Sequence, residues 1–230
     1  MHTAEALVWD VELPDGRPSN SWGMRPRGTV VIQSASHGNE RISVPLRVAR
    51  LLAAKLKTHE IDPSSRNELL FNLRELERSC ARTRIDRLID RREYSCYEVR
   101  TKLRQDGYPQ DVIDECLARA CEVGLISDER FADIFISSKL GAGWGMARIE
   151  RELAAKGVEA SSLKGWPYDY LDPEDELTRA TELARRRVGG RSTYEKLVRH
   201  LCGKGFTLGV ATKAARRVLD EYEADNLVDF

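Results

Sequence analysis

Glycine-rich stretches are where phosphate chemistry would sit, because backbone N–H groups cradle an anion only where no side chain intervenes. Gly141-Ala142-Gly143-Trp144-Gly145 has that look. It follows a helical pattern rather than a strand, and Met146 stands where G-x-G-x-x-G needs its last glycine. Gly189-Gly190-Arg191-Ser192-Thr193 lacks the upstream glycine of a P-loop, and Arg191 replaces the lysine. Both stretches are expected to be turns between helices. His59-Glu60 begins like the zinc motif H-E-x-x-H, but Pro63 occupies the second histidine's place, and His2, His37 and His200 add no ligand spacing. Five cysteines (Cys80, Cys96, Cys116, Cys121, Cys202) form no C-x-x-C, so reduced thiols are expected, with Cys116 and Cys121 as small hydrophobes on a helix. No nucleophile and base stand together in local context. The chain is expected to be no enzyme and to use no cofactor or metal.

Charge is the richer signal. Lys+Arg and Asp+Glu are both 37, which argues against a strongly basic, autonomous DNA binder. The charges nevertheless fall in blocks. Arg78 to Arg104 holds nine basic residues against four acidic, and Arg179 to Arg217 holds eleven against two, while the stretches between and after are acidic. Solvated helix faces with dipole-matched ends account for any single charge. Recurrence along the chain points instead to a basic surface for a polyanion or an acidic, repetitive partner. The candidates are Arg91, Arg92, Arg100 and Lys102, then Arg148, Arg151 and Lys156, then Arg199 and Lys204, with Arg185, Arg186 and Arg187 nearby. Three consecutive arginines span most of a helical turn, so only a subset can face one way. Arg92, Arg100, Arg148, Arg151, Arg199 and Lys204 are expected to share a groove.

Positioning them requires helices. Charged residues make up 32% of the chain and aromatics only 7%, a balance that suits a helical protein better than a sandwich or barrel. Residues 1–61 differ from the rest. Ala6 to Leu13, Gly28 to Ile32 and Arg41 to Leu46 read as strands, the last an edge strand because it carries Pro45, and Pro14-Asp15-Gly16 as a turn. Val48 to Lys57 reads as a short helix. So small a β-rich segment is expected to lean on the helices C-terminal to it. Beyond it, Ser65-x-x-Glu68 and Ser95-x-x-Glu98 are capping boxes opening two helices. Leu69, Leu73, Leu76 and Cys80, continued by Ile85, Leu88 and Ile89, mark a long helix's apolar stripe.

An internal repeat organises the helices. Leu103 to Tyr108, Leu153 to Val158 and Leu201 to Phe206 share one plan: Leu, two residues, a charge, Gly, then an apolar residue. They lie 50 and 48 residues apart, which reads as tandem three-helix units. The glycine is expected to be left-handed, with the next side chain folding back on its helix. Val99, Leu103, Phe131, Phe135, Ile149, Leu153, Leu183, Leu197, Leu201 and Phe206 are the expected core. The second unit has room only for a short third helix before Pro167, and Asp172-Pro173 reads as the cap and first residue of the next. The expected plan is mainly α, an elongated, curved array of three three-helix repeats (62–126, 127–171 and 172–230) behind a β-rich segment at 1–61.

Leu88 to Ser95 with Glu98-Val99 and Lys102-Leu103 resembles the first repeat of the bacterial regulatory protein RecX family. Gly124 to Ala132, Gly143-Trp144-Gly145, Arg148-Ile149 through Leu153, and Lys156-Gly157 resemble the second, and Leu201 with Lys204-Gly205-Phe206 the third. The likeness spans about residues 78 to 222 and departs at Gly203, where a basic residue is usual. It implies a cytoplasmic, all-helical modulator that binds the RecA recombinase filament and as a rule restrains its growth, ATP hydrolysis and strand exchange. Single-stranded DNA is a second candidate partner, no membrane contact is expected, and a monomer is. The rival reading is a helical-repeat protein that binds single-stranded DNA without RecA.

Overall fold

The computed structural model describes residues 7–14, 25–33, 38–189 and 193–228. Ala6, Asp15, Gly16, Gly190, Arg191, Ser192 and Asp229, which enter the expectations from sequence, lie outside them, as do His2 and His37. The chain divides into two compact units, residues 1–127 and 128–230. No described helix is long and apolar enough to cross a membrane.

In the first unit three strands, β1 (Val8–Glu12), β2 (Arg27–Gln33) and β3 (Glu40–Pro45), form an antiparallel sheet in the order β1-β2-β3. β3 is an edge strand, as its proline requires. Pro45 ends it and serves as N-cap of α1 (Leu46–Lys57). Val30, Ile32 and Val44 of the sheet share one core with Val48, Ala49 and Leu52 of α1 and with Leu69 and Leu73 of α2 (Arg66–Ile89). The β-rich segment thus leans on the first helical repeat.

Ser65 caps α2 by accepting from the Glu68 N–H at 3.3 Å. The Glu68 carboxylate reaches back one residue further than expected, to the N–H and hydroxyl of Ser64, both at 2.8 Å. α3 (Cys96–Asp106) and α4 (Gln110–Glu122) complete the repeat. Cys116 is buried on α4, but Cys121 is exposed: Leu117 and Ala120 take the inward phase, and Cys121 turns out to lie 3.1 Å from the Cys96 sulfur.

The second unit holds α5 (Asp128–Gly141), α6 (Met146–Ala155), a 3-10 turn (Ala160–Ser162), α7 (Pro173–Arg185), α8 (Tyr194–Lys204) and α9 (Leu208–Val228). The short 3-10 turn stands where the second repeat lacks room for a third helix. Asp172 caps α7 by accepting from the Glu174 N–H at 2.8 Å, with Pro173 in the first turn. Alanines 180, 184, 211 and 214 line the packing of α7 on α9, small side chains that let the two helices approach closely.

Eight of the ten expected core residues are buried; Phe135 and Leu183 are only half-buried. Ile136 and Ala184, one position later, take the inward place. A fixed 18-residue offset fails because the helix connections differ in length, which rotates the phase of the preceding helix relative to the next.

One polar residue sits in the α2 stripe. Glu77 is 2% exposed and accepts from Arg74 at 2.9 Å. Burial raises its carboxyl above the ordinary value, and the Arg74 guanidinium offsets only part of this. An acid held high in the folded state binds its proton more tightly there than in the unfolded chain. Its contribution is therefore complete below the ordinary carboxyl value and is lost as pH rises through the folded one. Glu77→Gln should remove this loss, so that the melting temperature falls less between pH 4 and pH 7 in the variant than in the parent. Calorimetry across that range checks it.

Candidate functional site

The three Leu–Gly segments fold into one motif. The N–H groups of Tyr108, Val158 and Phe206 donate to the carbonyls of Leu103, Leu153 and Leu201 at 3.1, 3.0 and 3.2 Å. Those of Gly107, Gly157 and Gly205 donate to Arg104, Ala154 and Cys202 at 3.0, 2.9 and 3.0 Å. This is the Schellman pattern, and the glycines have the left-handed φ of 92°, 76° and 96° that it demands. Each following apolar side chain is buried, so each corner fixes where the basic residues of its helix stand.

Those basic residues are in diverse settings. In the first unit Arg92 stacks over the Tyr94 ring at 3.5 Å and holds Glu98 at 2.9 Å, while Lys102 lies 5.4 Å from the same ring. Arg100 pairs with Asp114. Arg91 is exposed, with no ion pair among the described residues.

In the second unit Arg148 stacks on Trp144 at 3.8 Å and points a guanidinium nitrogen at the Gly203 carbonyl, 3.5 Å away. Lys156 lies 5.8 Å from the Phe135 ring, beside Lys139 at 5.2 Å. Arg151 is exposed and donates only to Ala147 of its own helix, at 3.2 Å. Arg185 is committed to Glu221 through two hydrogen bonds of 2.8 and 2.9 Å. Arg92, Arg100, Arg148 and Arg185 therefore hold structural partners.

Arg199 stands in a different place. With Arg186, Arg187, Lys196 and His200 it lines a recess of about 690 Å³ between the end of α7 and one face of α8. Lys196, Arg199 and His200 share that face by their three- and four-residue spacing. No carboxylate is among the described lining residues, and neither Arg186 nor Arg199 has an ion pair among the described residues. Burial, then the neighbouring charges of Arg187 and Lys204, hold the His200 imidazole below its ordinary value. Such a site binds phosphate or carboxylate by charge and by guanidinium forks. Lys196 and His200 carry no signal of their own in the sequence; the three-four spacing to Arg199 is the only trace.

Comparison with known proteins gives a consistent likeness. Residues 81–119 match the family model "RecX, first three-helix domain" and residues 127–162 match "RecX, second three-helix domain". Over 131 residues the chain is 34% identical to the regulatory protein RecX of Pseudomonas entomophila, covering 55% of this chain and 83% of that one. Over 133 residues it is 37% identical to the regulatory protein RecX of Streptomyces coelicolor, covering 54% and 69%. Among solved structures, RecX from Lactobacillus salivarius superposes with a TM-score of 0.54 at 19% identity, over 62% of this chain and 96% of that one. A second regulatory protein RecX gives 0.55 at 16%, over 84% and 94%. At these identities the structural likeness speaks for the fold alone.

The recess makes a titration prediction. In the free protein the His200 ring should titrate below 6.5, its ordinary value. Arg187→Gln, which removes a neighbouring cation, should move that midpoint upward, and so should saturation with inorganic phosphate, which brings negative charge to the ring. NMR titration of the imidazole signals checks both shifts; a midpoint indifferent to phosphate would mean that the recess takes no anion.

Proposed function

The chain belongs to the RecX family of regulatory proteins, and from that premise we propose that it is a non-enzymatic regulator that binds the RecA recombinase filament. In this reading it restrains RecA's ATP hydrolysis, filament extension and strand exchange, and so regulates DNA repair and recombination. The observation that carries the proposal is the match of 131 residues, at 34% identity, to a protein named for regulation.

The chemistry of the third repeat supports a contact with an acidic surface. Arg186 and Arg199 face an open recess without a local carboxylate, so a partner's carboxylates or phosphates gain charge-assisted hydrogen bonds without first displacing an internal pair. Arg91 and Arg151 are exposed and Lys204 is half-buried beside His200, and all three are further candidate contacts. Arg92, Arg100, Lys102, Arg148 and Lys156 act in this reading chiefly through the surfaces they hold in place.

RecA turning over ATP on single-stranded DNA provides the test. The parent protein should lower that turnover and slow strand exchange. Arg186→Glu with Arg199→Glu should raise the concentration needed for half the effect by about tenfold or more, because like charges then face the partner. The helical circular-dichroism signal should stay nearly unchanged. A parent protein that bound naked single-stranded DNA yet left RecA turnover untouched at saturation would overturn the proposal in favour of a strand-binding protein acting without RecA.

A further inference from the structure

The β-rich segment and the first repeat enclose another recess, of about 400 Å³, away from every basic residue singled out by the repeats. Two helices supply matched pairs to it. Arg47 and Arg50 come from α1, and Arg84 and Arg87 from α2; each pair is spaced by three residues and so lies on one helix face. Arg25, just ahead of β2, and Asp106, beside the Gly107 corner, complete the charged lining.

Five guanidinium groups thus converge on one carboxylate. That carboxylate is taken: Asp106 holds Arg84 at 2.7 Å and Arg25 at 3.0 Å. Arg47 reaches the buried Cys80 thiol, and among the described residues none of Arg47, Arg50 and Arg87 has an ion pair with a carboxylate. Elsewhere on the same surface Arg66 and Arg78 each hold one. Cations gathered around a recess repel one another, and a fold gains nothing by converging them unless an anion completes the site.

The remaining walls narrow the kind of anion. Pro26, Pro45, Leu46 and Leu51 give the recess an apolar side, and Leu51 is 37% exposed at its edge. A bare phosphate would use only the guanidinium side. A volume of a few hundred Å³ with a flat apolar wall and a cationic wall suits a small organic anion. A nucleotide has both halves, a base to lie on proline and leucine and a phosphate to meet guanidinium forks. A duplex rod, whose bases are stacked away, offers only phosphates to a recess this small.

We propose that this recess binds one nucleotide, with its phosphate held by Arg47, Arg50 and Arg87. The nucleotide is either free or one unit of a single strand. The site goes beyond the RecA reading and does not rest on it.

The test uses the full chain without RecA. The probes are adenosine monophosphate and a short oligothymidylate, followed by calorimetry, with poly-L-glutamate as a competitor. Hydrogen exchange maps the footprint. Arg50→Glu with Arg87→Glu, both exposed positions, should cost about tenfold or more in affinity for whichever probe binds. For the oligonucleotide the slope of log affinity against log salt should shrink by about 1.4, because each lost phosphate contact on a single strand is worth about 0.7.

Binding of the monophosphate identifies a free nucleotide as the ligand; binding of the oligonucleotide alone identifies a strand. The proposal fails if neither probe binds at about 1 mM, if the double variant binds both as the parent does, or if poly-L-glutamate displaces the probe as well as unlabelled nucleotide does. Should the double variant unfold, the parent's exchange footprint decides. Protection of residues 46–51 and 84–88 on adding the probe supports the site, and its absence overturns it. Because RecA is absent, a failure here leaves the regulatory reading standing.

Discussion

A single backbone hydrogen bond sets the architecture: the N–H that follows a left-handed glycine donates to the carbonyl of a leucine five residues earlier. It recurs at Tyr108, Val158 and Phe206. The bond can form only if the glycine accepts a positive φ, and then the chain must leave the helix sharply with its next side chain turned inward. Leu103, Leu153 and Leu201 are each 0% exposed, so every corner is pinned from both sides. The helix before it and the segment after it inherit their directions from that point.

The corners also receive the segment that precedes them in the chain. At the first, the Arg25 N–H donates to the Gln105 carbonyl at 3.1 Å, and a Cβ on Gly107 would lie 2.5 Å from the Arg27 guanidinium. At the third, the Gly145 N–H donates to the Lys204 carbonyl at 3.0 Å, and a Cβ on Gly205 would lie 2.1 Å from the Arg148 Cβ. Helix ends leave carbonyls without helical partners, and here the neighbouring segment supplies the donors. Around the third corner, Arg179 donates to the carbonyls of Leu140 and Trp144 at 2.9 and 2.8 Å, and Glu176 accepts from the Met146 N–H at 3.0 Å. Burial lowers the Arg179 guanidinium from its ordinary value, and its two carbonyl acceptors are what make so costly a position tenable.

Local constraints decide which parts of the fold are legible in the sequence. The corners announce themselves because only glycine fits the backbone there, and three copies in register leave little else for the pattern to mean. The edge strand at Pro45 and the cap at Asp172 are legible for the same reason, since each residue type answers a local constraint. Basic residues answer no such constraint. Arg92 and Arg148 look like neighbours of Arg199 in the sequence, yet they lie over Tyr94 and Trp144, because a guanidinium that finds an aromatic face gains by stacking on it. The burial of Glu77 depends on α2 carrying Arg74 one turn earlier, a pairing that resembles any exposed one. The recess between α1 and α2 is illegible for a different reason: its arginines come from three separate elements and meet only through the packing of the β-rich segment on the first repeat.

The claim that glycine corners both end the helices and receive the preceding segment is tested most directly by two nearby glycines. Gly203 lies inside α8, where an added Cβ meets nothing within 4 Å; Gly205 is the corner. Urea unfolding of the two alanine variants separates them. Gly203→Ala should leave stability unchanged or raise it by up to about 1 kcal/mol, since alanine costs less entropy in a helix. Gly205→Ala should lower it by more than about 2 kcal/mol, through the positive φ and the loss of the Arg148 approach. Equal stability of the two variants would contradict the account.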